Sequence, residues 1–136
     1  MTTTKCIAII VLLLLCVHTS CKKEVPSEPQ VEAITIAGVT YAQYDSVWFT
    51  VVDGKQGDRI DLAELIVKPK PSVNMSSFDY RSGGVPKLIV LRIVTGEYYV
   101  LDTSQLPDPF DVARKLWNTN KFDSLQFNVY VQVQAT

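Results

Sequence analysis

The chain has 136 residues, 47% of them apolar in type, with 13 Lys and Arg against 14 Asp and Glu and a formal net charge of −1. That balance, with no basic run and no Gly-rich phosphate loop, argues against a nucleic-acid partner. The single histidine is His18 and the three cysteines are Cys6, Cys16 and Cys21, so every imidazole and every thiol lies within the first 21 residues.

Those residues have the three-part form of an export signal. Lys5 supplies the positive start, and Ile7 to Val17 form an apolar stretch interrupted only by Cys16. Thr19-Ser20 then places small residues directly before Cys21. About a dozen apolar residues fall well short of the roughly 20 that a membrane-spanning helix needs. Residues 1–20 are therefore expected to be removed.

Ser20-Cys21-Lys22-Lys23-Glu24, followed by a Pro- and Glu-containing stretch, resembles the start of Gram-negative lipoproteins. The resemblance implies that Cys21 becomes the first residue and carries acyl chains such as palmitate. Several chains on one cysteine hold a membrane firmly, where a single chain is marginal. His18 stands where such signals usually carry Leu or Val. Cys16 is the competing cysteine, but bulky Leu15 precedes it. The implied address is the cell envelope, with the outer membrane as the anchoring layer.

Residues 21–32 hold Pro26, Pro29 and three glutamates without apolar periodicity, which predicts a flexible tether. One α+β domain is expected over residues 33–136, a length that supports a core without disulfide staples. Ile34 and Ile36 alternate with Thr35, as in a strand entering at an edge. Tyr44 to Val52 is rich in strand-favouring residues, and Asp53-Gly54-Lys55-Gln56-Gly57 is a turn signal, so a hairpin resuming at Asp58 is expected. Leu65-Ile66-Val67 continues the strand until Pro69 and Pro71 mark its end.

Ser72 to Gly84 reads as loop with at most one helical turn. Leu88-Ile89-Val90-Leu91 is the densest apolar run; Thr95-Gly96-Glu97 turns the chain, and Tyr98 to Leu101 returns. This second hairpin is expected at the centre of the sheet. Asp108-Pro109 opens the one clear helix, with Asp108 at the N-cap and Pro109 at the first helical position. Phe110, Val112, Ala113, Leu116 and Trp117 form its apolar stripe. Phe127, Val129, Val131 and Val133 alternate with polar residues in a closing strand. The order predicts a small antiparallel or mixed sheet with one helix packed on one face.

Removal of residues 1–20 and acylation of Cys21 would leave this domain without His or a free thiol. Ser-His-Asp and Cys-His chemistry would then be impossible, and the preferred zinc ligands missing. Asp53, Asp58 and Asp61 cluster near the first hairpin turn, but their spacing is not that of an EF-hand loop. They read as a solvated hairpin tip. The expectation is a protein that is not an enzyme and has no cofactor and no metal. Tyr44 and Trp48 are candidates for an exposed aromatic surface that could stack on sugars, although core packing is the better reading of such residues.

A second resemblance covers roughly the last seventy residues. Leu65-Ile66-Val67-Lys68-Pro69-Lys70, Gly96-Glu97-Tyr98-Tyr99-Val100-Leu101, Asp108 to Leu116 and Phe127-Asn128-Val129-Tyr130 are similar to segments of subtilisin-family propeptides. This resemblance implies a ferredoxin-like βαββαβ sandwich with a degenerate first helix at Ser72 to Gly84, and a serine protease as partner. Val133, Gln134, Ala135 and Thr136 would be the residues that enter the protease cleft as an added strand. No protease domain follows in this sequence, so the expected action is in trans, as inhibitor or chaperone. Two further expectations stand beside it: a structural, interaction or immunity-type envelope lipoprotein without a protease partner, and a carbohydrate-binding accessory lipoprotein.

Overall fold

The computed structural model describes residues 32–130. Cys21, the expected export signal, the expected tether up to residue 31 and Val133 to Thr136 lie outside the described residues. The elements are β1 (Ala33–Ile36), β2 (Val39–Tyr44), β3 (Val47–Val52), β4 (Lys55–Pro69), two 3-10 turns (Met75–Ser77 and Arg81–Gly83), β5 (Val90–Val94), β6 (Tyr98–Asp102), α1 (Pro109–Asn118) and β7 (Phe122–Val129). The architecture is α+β, with all strand pairs antiparallel. Its seven-stranded sheet is larger than the small one expected.

The first four strands form a meander because the chain reverses in three two-residue turns. Ala37-Gly38, Asp45-Ser46 and Asp53-Gly54 all have positive φ, as the right-handed twist of a hairpin favours. Tyr44 to Val52 is therefore not one strand: Tyr44 closes on Val47 around Asp45-Ser46. Likewise β4 resumes at Lys55 directly after Gly54, before the expected Asp58.

β4 is 15 residues long and joins the two halves of the sheet. Near its start, Asp58 N–H donates to Thr50 Oγ1 on β3, while the carbonyl of Arg59 accepts from Tyr130 N–H. Successive residues of a strand point to opposite edges, so β3 and β7 lie on opposite sides of β4. Further along, β4 pairs with β6 from Glu64 to Val67. Against β7, Asp61 faces Asn128 but Leu65 already faces Phe127, so Leu62, Ala63 and Glu64 bulge out of that ladder. Buried Thr103 satisfies the bulge: its Oγ1 donates to the Leu62 carbonyl at 2.6 Å and its N–H to the Ala63 carbonyl at 2.9 Å.

The second half has the strand order β7-β4-β6-β5. Antiparallel pairing throughout makes β4 run with β5 and β6 with β7. The connection from β4 to β5 carries the two 3-10 turns, and that from β6 to β7 carries α1. Helix α1 begins as its sequence dictates: Asp108 Oδ1 accepts from Asp111 N–H at 3.0 Å, Pro109 occupies the first turn, and Asp111 pairs with Lys115 at 2.7 Å.

One face of the sheet builds the core. Leu65, Val67, Leu101, Leu125 and Phe127 pack there with Phe110, Ala113 and Leu116 of α1. Phe110 is the hub, 4.5 Å from Trp48, 5.6 Å from Tyr41 and 5.0 Å from Phe127 between ring centroids. It thereby ties α1 to β2, β3 and β7. Trp117 is half-buried at the margin of this core.

β5 is not central. Among the described residues it ends the strand order and pairs only with β6, and every one of its residues is exposed. The density of its apolar run suggested the middle of the sheet, but β4 holds that place with strands on both sides.

Candidate functional site

The features suited to recognition lie on the sheet face away from α1 and along β5. Register places Ile66 beside Val100, and Val100 beside Arg92. Side chains alternate along a strand, so these residues point away from Leu65, Val67 and Leu101 on the core face. Val100 is nonetheless fully buried. Alongside it, Arg92 of β5 reaches across β6 to Glu64 of β4, with Nη1 to Oε1 and Nη2 to Oε2 both 2.7 Å. Asn128 of β7 donates to the same carboxylate, Nδ2 to Oε2 2.7 Å. One polar ladder thus links β5, β4 and β7 across the intervening β6.

The ladder fixes its own charge states. The Arg92 guanidinium holds the Glu64 carboxyl below its ordinary value against the opposing effect of burial, with a lesser contribution from Asn128. Arg92 is raised in turn by its hydrogen bonds to Glu64. Nearby, Lys68 pairs with Glu97 at 3.1 Å and lies 5.5 Å from the centroid of the Tyr98 ring. Hydrogen bonding to Glu97 raises the Lys68 amine. The Asp102 carboxyl is lowered by the hydroxyl and then the N–H of Ser104, which both donate to it.

β5 borders this face. Val94 shares it with Tyr98 and Arg92, whereas Ile93 faces the core side beside Tyr99. Ile89 is 67% exposed, Leu91 46%, Ile93 54% and Val94 43%, and Val90 is open as well. Five large apolar residues thus line one strand edge that is unpaired among the described residues, on both faces of the sheet. Proteins usually blunt such an edge with Pro, Lys or a covering element. β5 contains neither residue, and its one charge, Arg92, is already bound to Glu64.

Tyr44 and Trp48 do not form a platform. In the β2–β3 hairpin Trp48 pairs with Gln43 and Tyr44 with Val47, which puts the two rings on opposite faces. Trp48 packs on Phe110, while Tyr44 stacks edge-on against Phe49 at 5.9 Å. Both residues are half-buried.

Asp53 sits in its turn, and Asp61 accepts from Ala63 N–H at 2.9 Å. Among the described residues no group of His, Cys, Asp and Glu is arranged to hold a metal ion. An open cleft of about 690 Å³ lies where β7 ends against β3 and β4, lined by Phe49, Gly57, Arg59 and Tyr130 among others. Arg59 stacks over the Tyr130 ring at 4.8 Å.

Sequence reasoning did not find the Glu64–Arg92–Asn128 ladder, whose members are 28 and 64 positions apart. The interruption of the apolar run by Arg92 was its only local signal. No helix among the described residues is long and apolar enough to cross a membrane. No family model matches the chain, and no curated protein or solved structure is significantly similar to it.

Proposed function

We propose that the chain is an exported, lipid-anchored protein of the cell envelope whose domain binds another protein and is not an enzyme. Its candidate partner is a subtilisin-like serine protease, inhibited or chaperoned in trans. The address rests on the Lys5, Ile7–Val17 and Ser20-Cys21 pattern. The observation that carries the binding role is the strand order β7-β4-β6-β5, with crossovers between parallel members of each pair. That is the arrangement of a ferredoxin-like split βαβ unit. On this reading the two 3-10 turns stand for a degenerate first helix, and the meander β1 to β3 is an addition to the prodomain-like sheet. The face bearing Glu64, Arg92 and Tyr98 is the docking surface, since α1 covers the other.

The experiment is inhibition of a subtilisin-like protease by the full chain and by a form lacking Gln134 to Thr136. Micromolar inhibition that the deletion abolishes supports the reading; no inhibition by the full chain ends it.

A second reading, an interaction or immunity-type envelope lipoprotein without a protease partner, is favoured by the open edge of β5. It requires that the Gln134 to Thr136 deletion leave partner binding unchanged and that charges placed in β5 abolish it. Carbohydrate binding through Tyr44 and Trp48 has lost its basis, because the two rings face opposite ways.

A further inference from the structure

We propose that β5 is the contact strand of a two-fold homodimer, paired antiparallel with β5 of a second copy so that the two sheets become continuous. The occupant of this edge must complete a backbone ladder. It must also bring apolar side chains to both faces of the sheet, because Ile93 and Val94 open on opposite sides. β5 itself has that property. The other sheet edges do not: β7 exposes Asp123, Ser124 and Gln126, and β1 exposes Ala33 and Thr35.

Charge points the same way. A partner strand carrying a free carboxylate would have to compete with Glu64 for Arg92, whose two terminal nitrogens are both engaged at 2.7 Å. A second copy brings its own Arg92 already neutralised, so pairing buries no unmatched charge. Antiparallel pairing of one strand with itself is also closed by a two-fold axis. It uses up both β5 edges and stops at two chains.

Area sets the strength. The exposed side chains from Ile89 to Val94 offer roughly 450 Å² per copy, within the range of functional surface patches. Pairing would bury at most roughly 900 Å² in total, short of the ~1,000 Å² that a stable specific interface clears. The dimer is therefore a weak and reversible one. The inference does not depend on a protease partner, and the protease assay does not test it.

The test is sedimentation of the full chain in detergent at rising concentration, up to roughly 300 µM. Wild type is expected to pass from monomer to dimer and no further. Two double variants, Leu91→Lys with Ile93→Lys and Leu91→Glu with Ile93→Glu, are each expected to stay monomeric. Mixed in equal amounts, they are expected to recover a dimer of one copy of each, which also demonstrates that both fold. Wild type that remains monomeric at roughly 300 µM, as it would if the edge served a different protein, overturns the proposal. So does growth beyond two chains, dimer in either variant alone, or no dimer in the mixture.

Discussion

Arg92 and Glu64 are joined across an intervening strand, each terminal nitrogen of the guanidinium 2.7 Å from its own carboxylate oxygen. The fork-to-fork geometry favours charged over uncharged partners. It also locks β5 to β4, strands that share no backbone ladder. β5 needs that lock, because β6 is its only neighbour among the described residues.

The pair should be visible in the pH dependence of stability. A carboxyl held below its ordinary value stabilises the fold once ionised. That contribution is complete above the unfolded-state value, about 4.3 for Glu, and is lost as pH falls through the lower folded value. Glu64→Gln is expected to unfold at lower urea than wild type at neutral pH, with the gap closing as the solution is acidified. Asp102 also titrates low and is common to both proteins, so the gap reports Glu64 together with its weak coupling to Asp102. A gap that does not change with pH would show that the charge contributes nothing.

Tyr41 is 1% exposed, and its hydroxyl accepts from the backbone N–H of Phe127, 3.2 Å away and 86 positions along the chain. Burial raises the phenol despite that contact. Removing the oxygen in Tyr41→Phe strands a buried donor beside the β4 bulge, at a cost of about 1–3 kcal/mol. Urea unfolding is expected to show that loss, with far-UV circular dichroism unchanged. Equal stability of the two proteins would mean that the ring alone matters there.

Gly57 occupies the extra position where β4 gains one residue on β3, between the pairs Phe49–Arg59 and Val51–Gln56. A Cβ at this position would lie 2.5 Å from Thr50 Oγ1 and 3.1 Å from the Thr50 carbonyl oxygen. That same Oγ1 holds Asp58 N–H at 2.9 Å, so it cannot swing away without losing the bond. Gly57→Ala is expected to cost about 1–3 kcal/mol, as overpacking does. Thermal unfolding of Gly57→Ala, of Thr50→Ala and of the two combined separates the clash from the lost bond, because Thr50→Ala takes away the Oγ1 that the new Cβ would strike; a Gly57→Ala protein as stable as wild type would remove both.

Legibility followed the range of the forces. Helix α1 could be read residue by residue, because Asp108, Pro109, Asp111 and the stripe from Phe110 to Leu116 act within a few positions of one another. The Asp53-Gly54 hairpin was legible for the same reason. The turn at Asp45-Ser46 was not, since neither residue is the glycine that two positive φ angles normally require. β7 begins at Phe122, five residues before its clean alternation starts, because Pro69 and Val67 of β4 supply its early partners.

The place of β5 was the largest misreading. Leu88 to Leu91 has the composition of a central strand, but the long β4 takes the central position, with β7 on one side and β3 and β6 along the other. A strand's composition does not reveal how many neighbours it has. The Glu64–Arg92–Asn128 ladder was hidden for a related reason: it exists only once the order β7-β4-β6-β5 is fixed.

The envelope address and the loss of imidazole and thiol chemistry both depend on the fate of residues 1–21, because removal and acylation there would discard His18 and occupy the final thiol. Intact-mass analysis of the protein extracted from the membranes of an exporting Gram-negative cell tests this directly. The expected species begins at Cys21 and carries the added mass of a diacylglyceryl group and an N-linked acyl chain. A water-soluble, unmodified chain that still begins at Met1 would contradict the envelope address and return an imidazole and three thiols to the chemistry open to this protein.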